Sequence, residues 1–250
     1  MNRVTRRRDS GGRLFAPLLL LVLPLVVAAG CGRGVERIAE RRVNALLPEV
    51  IGPAERYATR VRGDSPGALS RGRMRRVHVD GVGVRLSETL TVDTLVLDLD
   101  QVAVDLKARR LRGVERVTFR ASVGEENLNR YLRAQRPDIP GLRVALGPSR
   151  ATVHARPQLL GISTVPVSVD GAVTPRAGGR FLDFIPNGAQ VSIVPVPAPV
   201  LRYLSEKVNP VIDLTAVRIP VRVERVEIRS GTLLLGGSVA PEDLLRLAAP

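Results

Sequence analysis

From Met74 onward the chain is dominated by valine-rich segments that alternate with period two. Val117, Phe119, Ala121 and Val123 interleave with Arg116, Thr118, Arg120 and Ser122. Such alternation puts one face of a strand in a core and leaves the other wet, the habit of antiparallel sheets. The alternation also slips. Val77 and Val79 give way to Val82, Val84 and Leu86; Leu95, Leu97 and Leu99 to Val102, Val104 and Leu106; Val221 and Val223 to Val226 and Ile228. One extra residue turns every later side chain to the other face unless a β-bulge absorbs it, and bulges bend and twist a strand. Repeated slips therefore predict a long, strongly curved sheet. The alternative is a pair of short strands with a turn at each slip, which Asp80-Gly81 suits.

Helical patterns punctuate the strands. Val35, Ile38, Ala39, Val43, Leu46 and Leu47 share a stripe at three- and four-residue spacing before Pro48, Gly52 and Pro53, and Tyr57 to Val61 reads as a first short strand. Ser122 and Glu125 have capping-box spacing ahead of Leu128, Tyr131 and Leu132, with Pro137 as the stop. A third helix opens after Pro197 or Pro199, groups Leu201, Leu204 and Val208, and ends at Asn209-Pro210. Each has one apolar stripe, the pattern of a helix lying on a sheet. The expected class is α+β in a single domain, built on a long, strongly curved antiparallel sheet.

Motifs for chemistry are weak. Gly63-Asp64-Ser65-Pro66-Gly67 matches the nucleophile-elbow pattern, but Pro66 and Gly67 point to a turn rather than to a strand-serine-helix corner. His78 and His154 read as solvated strand residues without a third ligand at zinc spacing. The clustered carboxylates Asp93, Asp98, Asp100 and Asp105 could suggest acid–base or calcium chemistry, but Asp98 and Asp100 alternate with Leu97 and Leu99 as an outward polar row. A phosphate-cradling glycine loop is also missing. These patterns support neither an enzyme, nor a metal, nor a cofactor.

The N-terminus carries an export signal: Arg3, Arg6, Arg7, Arg8 and Arg13, then an apolar run of 16 residues from Leu14 to Ala29, then Gly30 and the single cysteine, Cys31. The run falls short of the roughly 20 residues that span a bilayer. Val27-Ala28-Ala29-Gly30-Cys31 resembles a bacterial lipobox, which implies cleavage before Cys31 and acylation of Cys31 with chains such as palmitate. Each buried methylene contributes about 0.8 kcal/mol to such an anchor. The expected division is residues 1–30 signal, 31–34 lipidated cysteine and short tether, 35–240 the domain and 241–250 a tail. Gly32 after the cysteine, rather than an aspartate, favours the periplasmic face of an outer membrane where the cell has one.

The mature chain would carry 33 basic and 23 acidic residues, with Lys107 and Lys207 the only lysines. Scattered arginines, 3% aromatic content and export argue against nucleic acid. Anionic lipid is the better electrostatic partner, at about 1 kcal/mol per arginine near the surface; base composition of the gene explains the arginine bias equally well.

The order of these elements, with Glu125-Glu126-Asn127-Leu128-Asn129-Arg130-Tyr131-Leu132, the run Lys207 to Leu214 (KVNPVIDL) and the ending Val226 to Gly236 around a Ser230-Gly231 turn, resembles the LmeA-like phospholipid-binding family from about Val35 to Val239. The resemblance implies a tubular lipid-binding (TULIP-like) architecture, a curved antiparallel sheet wrapped around a helix with an apolar groove, with anionic phospholipid as ligand and a part in envelope lipoglycan assembly, as for mycobacterial members. The lipobox departs from that pattern. The expected function is a membrane-anchored, non-enzymatic phospholipid-binding protein. Its candidate groove lining is Val43, Leu46, Leu47, Val77, Val79, Leu95, Leu97, Leu128, Leu132, Leu201 and Leu204. The same faces would equally build a solid core, and the alternative is an assembly lipoprotein of that kind docking an envelope partner.

Overall fold

The computed structural model describes residues 32–105, 110–156, 158–159, 162–163, 166–191, 194–195, 202 and 205–247. Residues 1–31, with the expected signal and Cys31, lie outside the described residues, as do Leu201 and Leu204. The chain from Gly32 forms one compact unit.

Helix α1 (Gly32–Val50) begins at the first described residue, so residues expected in a tether belong to a helix, which runs on past Pro48. Strand β1 (Arg56–Arg62), helix α2 (Pro66–Ser70), β2 (Arg73–Arg85), β3 (Thr91–Asp105), β4 (Arg110–Gly113) and β5 (Arg116–Gly124) follow. Next come α3 (Glu125–Gln135), β6 (Arg143–Gly147), β7 (Arg150–Ala155), β8 (Gln158–Leu159), β9 (Ile162–Ser163), β10 (Val167–Arg176), β11 (Phe181–Val191) and β12 (Val194–Pro195). After helical residues 205–208, the described chain ends with β13 (Ile212–Asp213), β14 (Val221–Arg229), β15 (Thr232–Val239) and helix α4 (Pro241–Leu247) in the expected tail.

Among the described residues these make two large antiparallel sheets and a separate two-stranded one, β8-β9. The first has the order β1-β2-β3-β5-β15-β14, with β4 also on β3; the second has the order β12-β11-β10-β7-β6, with β13 on β11. The first is strongly curled into a half-barrel, as the phase slips predict. Asp80-Gly81 lies in the middle of β2 and makes no turn.

The slips take two forms. In β14 the register shifts between Val223 and Arg225, opposite Gly237 and Gly236, which is a bulge. A Cβ on Gly237 would lie 1.9 Å from the Arg222 carbonyl oxygen, so the bulged backbone needs glycine opposite it. Between β2 and β3 the register holds from Arg73↔Ala103 to Arg85↔Thr91. There both strands change phase together, near Arg75 and Gln101 and again near Gly83 and Asp93. Gln101 (φ 52°) and Gly83 (φ 60°) take left-handed conformations at those two places. Paired slips turn both strands at once and keep the apolar side chains inward.

A repeated device closes the sheet edges. Glu40 and Asn44, one turn apart on α1, reach the edge strand β1: Val61 N–H donates to Glu40 Oε1 (3.1 Å) and Thr59 Oγ1 to Asn44 Oδ1 (2.5 Å). On α3, Glu125 Oε2 accepts from Leu146 N–H (2.9 Å), while Asn129 accepts from Val144 N–H and donates to Val144 C=O (both 2.8 Å). Side chains thereby occupy edge groups that would otherwise invite another strand. Glu125 is thus committed to β6, and the expected capping box does not form. Ser122 instead pairs with Thr94 across β5 and β3, and Asp93 caps α3 by accepting from Gly124 N–H.

Asn209 repeats the pairing: its Oδ1 accepts from Phe184 N–H (2.7 Å) and its Nδ2 donates to Phe184 C=O (3.0 Å). Tyr131 Oη accepts from Asp213 N–H (2.9 Å), joining α3 to the segment after Asn209.

Candidate functional site

The concave side of the first sheet does not close on itself. It encloses a cavity of about 410 Å3 whose lining, among the described residues, is apolar throughout. β2 contributes Met74, Val77 and Val79; β3 contributes Val92, Leu95, Leu97, Leu99, Val102 and Val104; β5 contributes Val117, Phe119, Ala121 and Val123. Opposite them stand Val43, Leu46, Leu47 and Val50 of α1, with Ile212, Leu214, Val217, Ile219, Val221 and Val223, and Leu244 of α4 closing the side.

Burial along this lining is graded. Leu90, Val92, Val123 and Ile212 are buried almost completely at the deep end. Leu99, Val104, Leu111, Ile219, Val221 and Leu244 are half-buried, and Leu46 and Val50 are 51% and 54% exposed. The cavity therefore opens between the C-terminal turns of α1 and the segment entering β14. Arg218 marks that mouth, its Nη1 donating to the Glu49 carbonyl oxygen at 2.9 Å.

An apolar space of this size decides between hollow and solid. At roughly 24 cal/mol per Å3, a dry void of such volume costs on the order of 10 kcal/mol, as much as the net stability of a domain. Water is a poor filler, because it needs two to four polar partners and the lining side chains supply none. An apolar ligand meets both conditions, and the volume lies within the roughly 300–1,000 Å3 of small-molecule sites.

Seven of the expected lining residues, Val43, Leu46, Leu47, Val77, Val79, Leu95 and Leu97, border the cavity. Leu128 and Leu132 do not: both are fully buried on α3. The β5 face was visible in the alternation of Val117 to Val123. Ile212, Leu214 and Leu244 carried no comparable signal, since they come from short segments that reach the cavity only through tertiary packing.

The outer face of the sheet carries a cross-strand charge ladder. Arg76 pairs with Asp100 at 2.8 Å and Arg60 with Asp80 at 2.9 Å, and His78 lies between Asp98 (2.7 Å) and Asp80 (3.2 Å). The histidines expected to be solvated are thus half-buried and bonded, His154 to Ser168 at 2.8 Å. Burial first, then the charge of Arg143, holds the His154 pKa below its ordinary value. Ser65 Oγ accepts from Ala68 N–H (3.1 Å) as the N-cap of the short helix α2. No group of three His, Cys, Asp or Glu placed to hold a metal occurs among the described residues, and none of their helices is long and apolar enough to cross a membrane.

No curated protein and no solved structure matches the chain. The pattern of one family does, over residues 31–238, and its description fits an apolar cavity opening at a curled sheet: the chain belongs to the LmeA-like phospholipid-binding family.

Proposed function

We propose that this protein is a lipid-anchored, non-enzymatic phospholipid-binding protein of the cell envelope that holds acyl chains in the cavity of its curled sheet. The observation that carries this reading is the all-apolar lining that ends in an exposed apolar mouth at Leu46 and Val50. Moving a methylene out of water gains about 0.8 kcal/mol, but moving one out of a bilayer gains almost nothing. A cavity that matches the bilayer can therefore load and unload reversibly. The hollow sheet weighs against the solid-core assembly protein.

Helix α1 supports the membrane part of the proposal. Its exposed face interleaves Ile38, Leu46 and Val50 with Arg37, Arg41 and Arg42, the composition of a helix lying in a lipid interface. Cys31 directly precedes α1 in the sequence, and α1 ends at the mouth with Val50. A helix lying flat on the leaflet brings both to the bilayer surface. The arginines favour anionic lipid, and the outer membrane's periplasmic face is the proposed site where the cell has one.

The deciding experiment is mass spectrometry of lipids extracted from the purified full chain, beside a Leu97→Trp variant that fills the cavity. Wild type is expected to carry phospholipid and Leu97→Trp to fold but carry little; lipid equally abundant in both refutes the cavity as the site. Cys31→Ser should lack the acyl mass and leave the membrane on a salt wash. Binding of the full chain to anionic vesicles should weaken with salt.

A further inference from the structure

We propose that the phosphate of the bound lipid is held by Arg180, Arg218 and Arg246, which line a shallow basin of about 370 Å3 beside the mouth of the apolar cavity. This rests on the reading of the cavity as an acyl-chain site. The basin is bounded by these three arginines with Val217, Pro220 and Asp243. Three guanidiniums face one carboxylate, and Asp243 is already shared, 3.5 Å from Arg222 and 3.6 Å from Arg246. The Arg180 side chain has no hydrogen-bond or ion-pair partner among the described residues. An uncompensated cluster of guanidiniums suits the oxygens of a phosphate ester, which arginine binds through two parallel hydrogen bonds.

Position ties this basin to the lipid. Along residues 217–221 the side chains alternate: Val217, Ile219 and Val221 line the cavity, while Arg218 and Pro220 line the basin, and Val217 borders both. On α4, Leu244 turns to the cavity and Asp243 and Arg246 to the basin. Arg218 also spans the mouth through its bond to Glu49. Consecutive Cα atoms are about 3.8 Å apart, so the apolar and cationic surfaces meet across a single chain thickness. An amphiphile whose tails enter between Val50 and Ile219 has its phosphate beside Arg218.

The test uses the full chain in detergent and three probes: a fluorescent phosphatidylglycerol, a diacylglycerol with the same tails and no phosphate, and free glycerol phosphate. Wild type is expected to bind phosphatidylglycerol at least about tenfold more tightly than diacylglycerol, the size of one charged hydrogen bond. Arg180→Gln, which removes no hydrogen bond or ion pair among the described residues, should lose most of that preference. The triple change Arg180→Gln, Arg218→Gln, Arg246→Gln should abolish it while leaving diacylglycerol binding intact, with the melting temperature lowered only by the loss of the Arg218–Glu49 and Arg246–Asp243 contacts. The proposal is overturned if the triple variant keeps the preference, or if an equal charge loss at Arg56, Arg62 and Arg143 removes it as well. Free glycerol phosphate binding as tightly as the lipid also overturns it, since the basin then serves a soluble anion. If wild type binds neither tailed probe, the acyl-cavity reading falls and takes this proposal with it. If Leu97→Trp blocks both tailed probes while the triple variant keeps its preference, the basin alone is refuted.

Discussion

The two sheets treat the same valine-rich alternation in opposite ways. In the second sheet β7 alternates throughout and β10 as far as Val173, and Ala151, Val153, Val169 and Leu182 are buried to between 0% and 2% exposure. In the first sheet the alternation is interrupted at matched points on β2 and β3, the sheet curls, and its inner face meets space instead of another layer. A regular period yields a face that a second layer can cover completely. An interrupted period yields a trough, and a trough must be filled by something that is not the sheet itself.

This contrast can be broken most directly at single leucines. Leu132→Ala, in the solid part of the core, should cost about 2–5 kcal/mol in denaturant unfolding, because nothing collapses into the space it leaves. Asn129→Leu should cost about 1–3 kcal/mol, since it strands both backbone groups of Val144 at the β6 edge, and the same measurement reads it. Leu97→Ala faces the cavity on one side and loses fewer packed neighbours, so about 1–2 kcal/mol is expected. Equal losses at Leu97 and Leu132 would mean that the first sheet is as solid as the second.

The smallest expected effect concerns His154 on the outer side of the second sheet. Its folded pKa is depressed by burial and by Arg143, so the unfolded chain, titrating near about 6.5, takes up a proton first. Stability should then fall as pH drops below about 6.5. His154→Gln should flatten that slope in urea midpoints taken on either side of it, and an unchanged slope would assign the acid sensitivity elsewhere.

Much of the site was legible, because alternation names the inward face of any strand wherever that strand is placed. Val77, Val79, Leu95 and Leu97 follow from period two alone, and Val43 and Leu47 from the helical stripe. Leu128 and Leu132 have the same apolar signature, yet they sit under α3 in solid packing. A stripe says that a residue is buried and leaves open whether protein or ligand buries it. The runs that carry the family resemblance mostly hold backbone: Glu125 and Asn129 secure β6, Asn209 secures Phe184, and Tyr131 joins the two runs. The capping box failed for the same reason, as Glu125 had a stronger engagement with the Leu146 amide than with the start of its own helix.

What the sequence determined by itself was local: the strands and their wet faces, the apolar stripes of α1 and α3, the phase slips that demand curvature and the small-residue run before Cys31, each set by spacing along the chain. The tertiary structure alone decided that the paired slips of β2 and β3 fall opposite one another, that α4 folds back to place Leu244 in the wall, and that Arg180, Arg218 and Arg246 share one basin. Those outcomes depend on which distant segments meet, and a pattern of neighbours along a chain carries no term for that.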